Sequence, residues 1–389
     1  MATPKNSSTI LQVVPSLHTG GVEKTTLDIG NALVEQGWTS LVASSGGRMV
    51  EKLVADGSAH FELPLDRKNP YSLWRNASKL AKLIRQENVG LIHARSRAPA
   101  WSALLAAKTT GIPFVTTYHG AYSQNNALKG WYNSVMARAD RVIANSQWTA
   151  DLILERNPWA RERIVTIHRG TDFTAFYKSA ITQERKEKLT LEWDIQPNQF
   201  TVVHMARLTK WKGQTVVIAA AARLAKKYPN LRFILAGDSQ GRDEYHSTLK
   251  QEIANQGLEK HVLVAGHCFD PAAAMAVADV VIVASVEAEA FGRAAVEAGA
   301  LEKPVIVTRI GAVGETVLAL PEVTLDQATG WKVPPGNDEE MAKALSDLIE
   351  MSPTQRDSIG ARGRIHCEAN FSLSQMCNKT LSLYQQLLE

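Results

Sequence analysis

At 389 residues the chain is too long for one ordinary hydrophobic core, and 45% apolar with 21% charged residues is the composition of a folded globular protein, not of a disordered or fibrous one. The most apolar stretch, 272–286, is interrupted by Asp279 and falls short of the roughly 20 residues that span a bilayer, and the polar opening residues carry no export-type apolar segment, so a cytoplasmic protein is expected. Three cysteines without Cys-x-x-Cys spacing fit a reducing compartment and exclude a structural zinc site, while the net charge of +4 conceals a basic first part: residues 1–178 hold 21 Lys and Arg against 13 Asp and Glu, the remainder 22 against 26.

In chain order, short β-branched runs alternate with helical-period segments. A strand at 9–14, a helix over about 21–36 and a strand at 39–43 set a βαβ rhythm, which continues through strands at 90–93, 113–117, 141–144 and 164–167. The stretch 177–199 turns polar and reads as an interdomain linker. A second series then opens at 200–205 and runs through 233–236, 262–264, 279–283 and 304–307. The pattern predicts two doubly wound, Rossmann-like α/β domains, over 1–178 and 200–368, with ligands in a cleft at the carboxyl ends of both sheets. The final segment, 372–389, has the apolar spacing of an amphipathic helix (Leu373, Met376, Leu381, Tyr384, Leu388); the first domain is the candidate for its docking surface, which the spacing alone leaves open.

Two segments carry chemistry. Glu289-Ala290-Phe291-Gly292-Arg293 follows a buried-type strand and opens a helix that also bears Glu297. Gly292 permits close backbone approach there, and the free N–H groups of a first helical turn attract a diphosphate. Arg207-Leu208-Thr209-Lys210-Trp211-Lys212-Gly213 ends the first strand of the second domain, where Arg207 and Lys212 supply the two cations that neutralise a departing diphosphate. No Asp-x-Asp occurs, so the simplest carboxylate pair for a magnesium-bound diphosphate is missing and a metal-independent site is expected.

Together these segments resemble the Arg-x4-Lys and Glu-x7-Glu pattern of glycosyltransferase family 4, retaining enzymes of the GT-B fold. Gly20-Gly21-Val22-Glu23, Tyr118-His119-Gly120, Arg169-Gly170-Thr171-Asp172 and the run from Gly330 to Gly336 extend the resemblance over nearly the whole chain. It implies that Arg207 and Lys212 hold the donor diphosphate, with Phe291 and Gly292 in the same donor loop. It further implies that Glu297 holds the ribose, that Glu289 and His119 face the donor sugar as the catalytic pair, and that Gly20 and Gly21 open an acceptor-side loop. No cofactor and no metal are implied; the partners are a nucleotide sugar and a glycan or glycolipid acceptor, without nucleic acid. The chain departs from the family at Ala290, where Gly is usual, and at Arg169, where Asn is usual; Arg169 reads as a surface arginine or an acceptor contact. His18 and His93 read as structural.

Other readings meet specific obstacles. The segment Gly20–Thr26 has Glu23 where a P-loop needs glycine before its lysine, and no Gly-x-Gly-x-x-Gly follows a first strand as a nicotinamide dehydrogenase would require. A sugar-nucleotide epimerase or a non-catalytic binder on the same fold is a competing class. The helix over 71–87 sets Leu73 and Trp74 near Arg75, Lys79, Lys82 and Arg85, with two readings: a solvated basic face over core leucines, or peripheral contact with an anionic membrane.

Overall fold

The computed structural model describes residues 8–18, 20–120, 122–239, 241 and 243–389; the polar run at residues 1–7 lies outside them. The chain divides into two units, one running to Gly170 and taking back Leu373–Glu389, the other Thr171–Ser372.

In the first unit the strands β1 (Thr9–Val13), β2 (Thr39–Ser44), β3 (Ala59–Glu62), β4 (Leu91–Ala94), β5 (Phe114–Tyr118), β6 (Arg141–Ala144) and β7 (Ile164–Thr166) form one parallel sheet, in the order β3-β2-β1-β4-β5-β6-β7. Strands such as β4 and β5 are buried at every residue because helices cover both faces, and their polar members His93, Thr116 and Thr117 are each hydrogen-bonded within the unit. The β3 run Ala-His-Phe-Glu is half-exposed at the sheet edge and too polar to register in the sequence pattern. Asn69 caps the Pro70–Gln86 helix through the Ser72 amide, with proline at the first helical position. The Leu373–Leu388 helix packs Met376, Leu381 and Tyr384 among Ile10, Ile29, Leu91 and Ile143, so the carboxyl end of the chain completes the core of the first unit.

The second unit repeats the plan with β8 (Phe200–Met205), β9 (Leu231–Ala236), β10 (Val262–Gly266), β11 (Val280–Val283), β12 (Val305–Thr308) and β13 (Gly330–Val333), all parallel, in the order β10-β9-β8-β11-β12-β13. The stretch expected to be a linker is instead part of this unit. Residues Gln183–Glu192 form a helix capped by Thr182, and Ile181, Leu189 and Trp193 are buried in an apolar cluster with Val203, Ile234 and Met275. Arg185 clamps Asp270 through two hydrogen bonds of 2.7 Å. Three apolar anchors hold a helix whose other faces are charged, and that charge masked its packing role.

Each sheet reverses its strand order once, between β1 and β4 and between β8 and β11. Chains leaving adjacent strands at such a point diverge to opposite faces and open a crevice at the carboxyl edge.

Candidate active site

Both donor-type segments of the second unit leave the sheet at its crevice, Arg207–Gly213 after β8 and Ser285–Gly292 after β11. The Val286 N–H donates to the Trp211 carbonyl at 2.8 Å and ties the two loops together. The pairing of the neighbouring strands, Val203 opposite Val281, thereby fixes where their loop side chains meet. Lys212 Nζ reaches Glu289 Oε1 at 2.7 Å, with side chains 14% and 13% exposed, so the pair is largely withdrawn from water. The Ser285 hydroxyl also donates to Glu289 Oε1. Burial lowers the pKa of Lys212 from the usual lysine value, Glu289 opposes that shift, and Arg207 adds to it. Lys212 Nζ lies 4.3 Å from the centre of the Trp211 ring, and the Arg207 guanidinium 5.9 Å from the same ring.

Backbone geometry enforces this arrangement. Gly213 has φ +74°, and a Cβ there would fall 2.0 Å from the Ala284 carbonyl oxygen. Gln214, fully buried, donates to the Arg207 carbonyl at 2.9 Å and accepts from the Tyr245 hydroxyl at 3.2 Å, holding the loop to its helix. Gly292 (φ +91°) starts the Arg293–Ala300 helix. Glu297, 9% exposed, sits one turn along this helix with Arg293 Nε 3.4 Å from its Oε1. Phe291 turns its ring away from the loop and into an apolar cluster with Phe173, Val296 and Phe371, ring centres 5.6 Å apart for the Phe371 pair. Burial of an aromatic ring beside core apolar residues anchors the donor-type loop at Phe291.

The first unit assembles the other expected residues. His119 follows β5, and Gly20 precedes and Gly21 opens the Gly21–Glu35 helix. Arg169, read from sequence as a surface arginine or an acceptor contact, is half-buried, and its guanidinium fills the space beside Gly21, where a Cβ would fall 2.0 Å from Nη2. The missing side chain at Gly21 makes that approach possible, a pairing of small and large residues that no local motif announces. His119, Arg169, Arg95 and Asn145 line one cavity of about 20 Å³, with Thr25, His93, Thr117, Thr380 and apolar residues completing it. Burial, reinforced by the charges of Arg95 and Arg169, holds the His119 imidazole well below the ordinary histidine range, so it is neutral. Arg95 is buried and donates through Nε and Nη2 to Gln12 Oε1 at 2.8 and 2.6 Å. His93 is structural, as its sequence position suggested: its ring nitrogens bond the Tyr384 hydroxyl (2.5 Å) and Thr117 Oγ1 (2.7 Å).

The expected site residues therefore fall into two groups, His119, Gly20 and Gly21 in the first unit and Arg207, Lys212, Glu289, Phe291, Gly292 and Glu297 in the second. Gln214, Ser285, Asn145 and Arg95 were not anticipated as site residues. Among the described residues no group of three or more His, Cys, Asp or Glu side chains is placed to hold a metal ion.

Two doubly wound domains, one carrying a largely buried lysine–carboxylate pair beside an arginine at its switch point, are the architecture that the sequence resemblance to glycosyltransferases implies. Comparison with known proteins makes the assignment specific. The family model described as Glycosyltransferase Family 4 matches residues 19–175 and that described as Glycosyl transferases group 1 matches 185–366. The chain belongs to glycosyltransferase family 4. The crystal structure of a glycosyltransferase from Rickettsia africae is 34% identical over 99% of this chain and 100% of that one, with a TM-score of 0.90. Anabaena HepE in complex with UDP-glucose is 25% identical over 96% and 99%, with a TM-score of 0.76. The D-inositol 3-phosphate glycosyltransferase of Mycobacteroides abscessus is 27% identical over 76% of this chain, and the match spans 65% of that enzyme's length.

Proposed function

We propose that the protein transfers a hexose from a nucleoside diphosphate sugar to a lipid-linked or other cell-envelope glycan acceptor, with retention of anomeric configuration and without a metal ion. The observation that carries this reading is the Lys212–Glu289 pair beside Arg207, where two cations and one carboxylate converge at the switch point of the second unit. Lys212 and Arg207 take up the charge of the leaving diphosphate in the part a divalent cation plays elsewhere. Glu297 accepts from the ribose, and Glu289 and His119 bind sugar hydroxyls. The bond from the anomeric carbon to the diphosphate oxygen breaks as the bond to the acceptor oxygen forms on the same face. The acceptor's proton passes to the leaving phosphate. Binding of UDP-glucose by HepE supports the donor class.

A thermal-shift screen against UDP, GDP, ADP, their sugar conjugates, ATP and NAD, with and without EDTA, tests the reading. One nucleoside diphosphate is expected to stabilise the protein by about 2.7 kcal/mol at a hundredfold excess over its Kd, unaffected by EDTA and lost in Arg207→Ala. Stabilisation by ATP or NAD alone would overturn it, and an isomerised donor without transfer would assign an epimerase.

The peripheral membrane reading has its own support. Along Pro70–Gln86 the outer face exposes Tyr71, Trp74, Arg75, Lys79, Lys82 and Arg85 with no acidic residue, while Ala77, Leu80, Leu83 and Ile84 face the core. The core leucines belong to the solvated-face reading, but Trp74 at 65% exposure does not. An interfacial aromatic among cations worth about 1 kcal/mol each near an anionic surface fits membrane contact. The full chain is expected to float with vesicles containing phosphatidylserine at low salt and to stay behind when Lys79 and Lys82 are changed to Glu. Equal flotation of wild type and the double variant, or none by either, counts against it. Among the described residues no helix is long and apolar enough to cross a membrane.

A further inference from the structure

The short turn Lys210–Lys212 sets an indole beside both cations of the second unit. Trp211 is half-buried, with Lys212 Nζ 4.3 Å and the Arg207 guanidinium carbon 5.9 Å from its ring centre. Both lie within the roughly 6 Å over which a ring face attracts a cation. Adjacent residues of a helical turn project their side chains in different directions, so Lys212 folds back to bring its ammonium to the neighbouring ring. The main chain of Trp211 is fixed independently of that contact: its carbonyl accepts from the Val286 N–H at 2.8 Å, and the Lys212 N–H donates to the Thr209 carbonyl at 2.9 Å.

Electrostatics shows what the ring contributes. Burial and the charge of Arg207 both work against the charged form of Lys212, and the carboxylate opposing them is Glu289. The oxygen that Lys212 meets, Glu289 Oε1, also accepts from the Ser285 hydroxyl, so the ammonium shares it. With its side chain 14% exposed, Lys212 gains little from water on its other sides. A ring face attracts the ammonium there without taking an N–H into a conventional hydrogen bond, which leaves donors for a ligand. A second carboxylate in the same place would hold the lysine equally well, but its charge would repel an incoming diphosphate. An indole carries no such charge.

We propose that Trp211 is a positioning residue for the donor diphosphate: its indole face holds the Lys212 ammonium against Glu289 and attracts Arg207, so that both cations are set in place before the anion arrives. The assignment to a diphosphate rests on the transferase reading above; the contact between ring and ammonium does not.

The test is a double-variant cycle on the full chain. Trp211→Leu removes the ring face and leaves the main-chain bond to Val286, Trp211→Phe keeps a ring face, and Lys212→Met keeps the lysine stem without its charge; Trp211→Met replaces Trp211→Leu if the latter fails to fold. UDP, GDP and ADP are each titrated by calorimetry against every variant, and melting temperatures are recorded without nucleotide. Trp211→Leu is expected to weaken the tightest-binding of the three about thirtyfold, the equivalent of one desolvated contact between a cation and a ring. Trp211→Phe should recover most of that affinity, and with Lys212→Met already present Trp211→Leu should cost less than about threefold. The two Tm losses should fall short of additivity by about 3 °C or more. A full loss of affinity that persists beside Lys212→Met, or no recovery by Trp211→Phe, would make Trp211 a packing residue and overturn the proposal. Additive Tm losses with nucleotide still bound would overturn it too, and would leave the transferase reading intact. Coupled Tm losses with none of the three nucleotides bound by the wild type would preserve the contact and remove the diphosphate role along with the transferase reading.

Discussion

Replacement of Lys212 by alanine is expected to lower kcat about 10²–10³-fold, the loss seen when one preorganised donor to a developing anion is removed. The reasoning starts from burial. Lys212 and Glu289 are each about one-seventh exposed on their side chains and 2.7 Å apart, so the ammonium is oriented before substrate arrives and reorganises little as negative charge builds on the leaving phosphate. A structural objection is that the alanine leaves Glu289 without its cation, which by itself costs about 1–3 kcal/mol. The double variant Lys212→Ala with Glu289→Gln separates the two effects. Removing the stranded carboxylate charge should recover much of the melting temperature, while turnover stays low because no ammonium remains. Recovery of turnover along with stability would assign Lys212 a structural part only.

The cation–carboxylate cluster of the second unit was legible in the sequence for a topological reason. Its residues lie in two segments that leave neighbouring strands, β8 and β11, so the spacings Arg207 to Lys212 and Glu289 to Glu297 are set locally, within one loop and across one loop-to-helix junction, and appear as motifs. The cavity of the first unit is different. Arg95, His119, Asn145 and Arg169 come one from each of four strand ends, β4 to β7, and no pair of them is close enough in sequence to form a recognisable pattern. Arg169 illustrates the loss: a lone arginine before an expected linker reads as surface, and only the juxtaposition with Gly21, some 150 residues earlier, reveals its packing. Phe291 shows the converse, since a residue in a strong motif also anchors the loop through a ring packed in the Phe371 cluster, which the motif does not announce. The helix Gln183–Glu192 was obscured because composition averages a whole segment, whereas packing depends on three of its flanking and internal residues, Ile181, Leu189 and Trp193. The alternation of strands and helices remained legible because strands buried on both faces are mostly apolar and β-branched wherever they occur.

Gly213→Ala should produce the largest loss of stability among single-methyl additions in the donor loop. The residue has φ +74°, which costs a non-glycine residue roughly 1–2 kcal/mol, and its Cβ would sit 2.0 Å from the Ala284 carbonyl oxygen, a main-chain atom at the end of β11. Neither side yields easily: Val286 is bonded to Trp211 across the same junction, and the Ser285 carbonyl accepts from the Thr308 hydroxyl at 2.7 Å. A total near 3–5 kcal/mol follows for the strain and clash together, a drop in Tm of roughly 6–15 °C for a unit of this size. Gly336 supplies the control, because it has φ +75° with no atom within 4 Å of the place its Cβ would take, so Gly336→Ala bears the conformational cost alone. A Tm loss at Gly213 several degrees beyond that at Gly336 is therefore expected. Donor affinity should also weaken at temperatures where the variant is folded, since relieving the clash must part the Arg207–Gly213 loop from the β11 end and lengthen the Lys212–Glu289 contact. Equal losses at the two glycines, with donor affinity intact, would show that the two loops can slide past one another and that the close approach at Gly213 does not set the geometry of the cation pair.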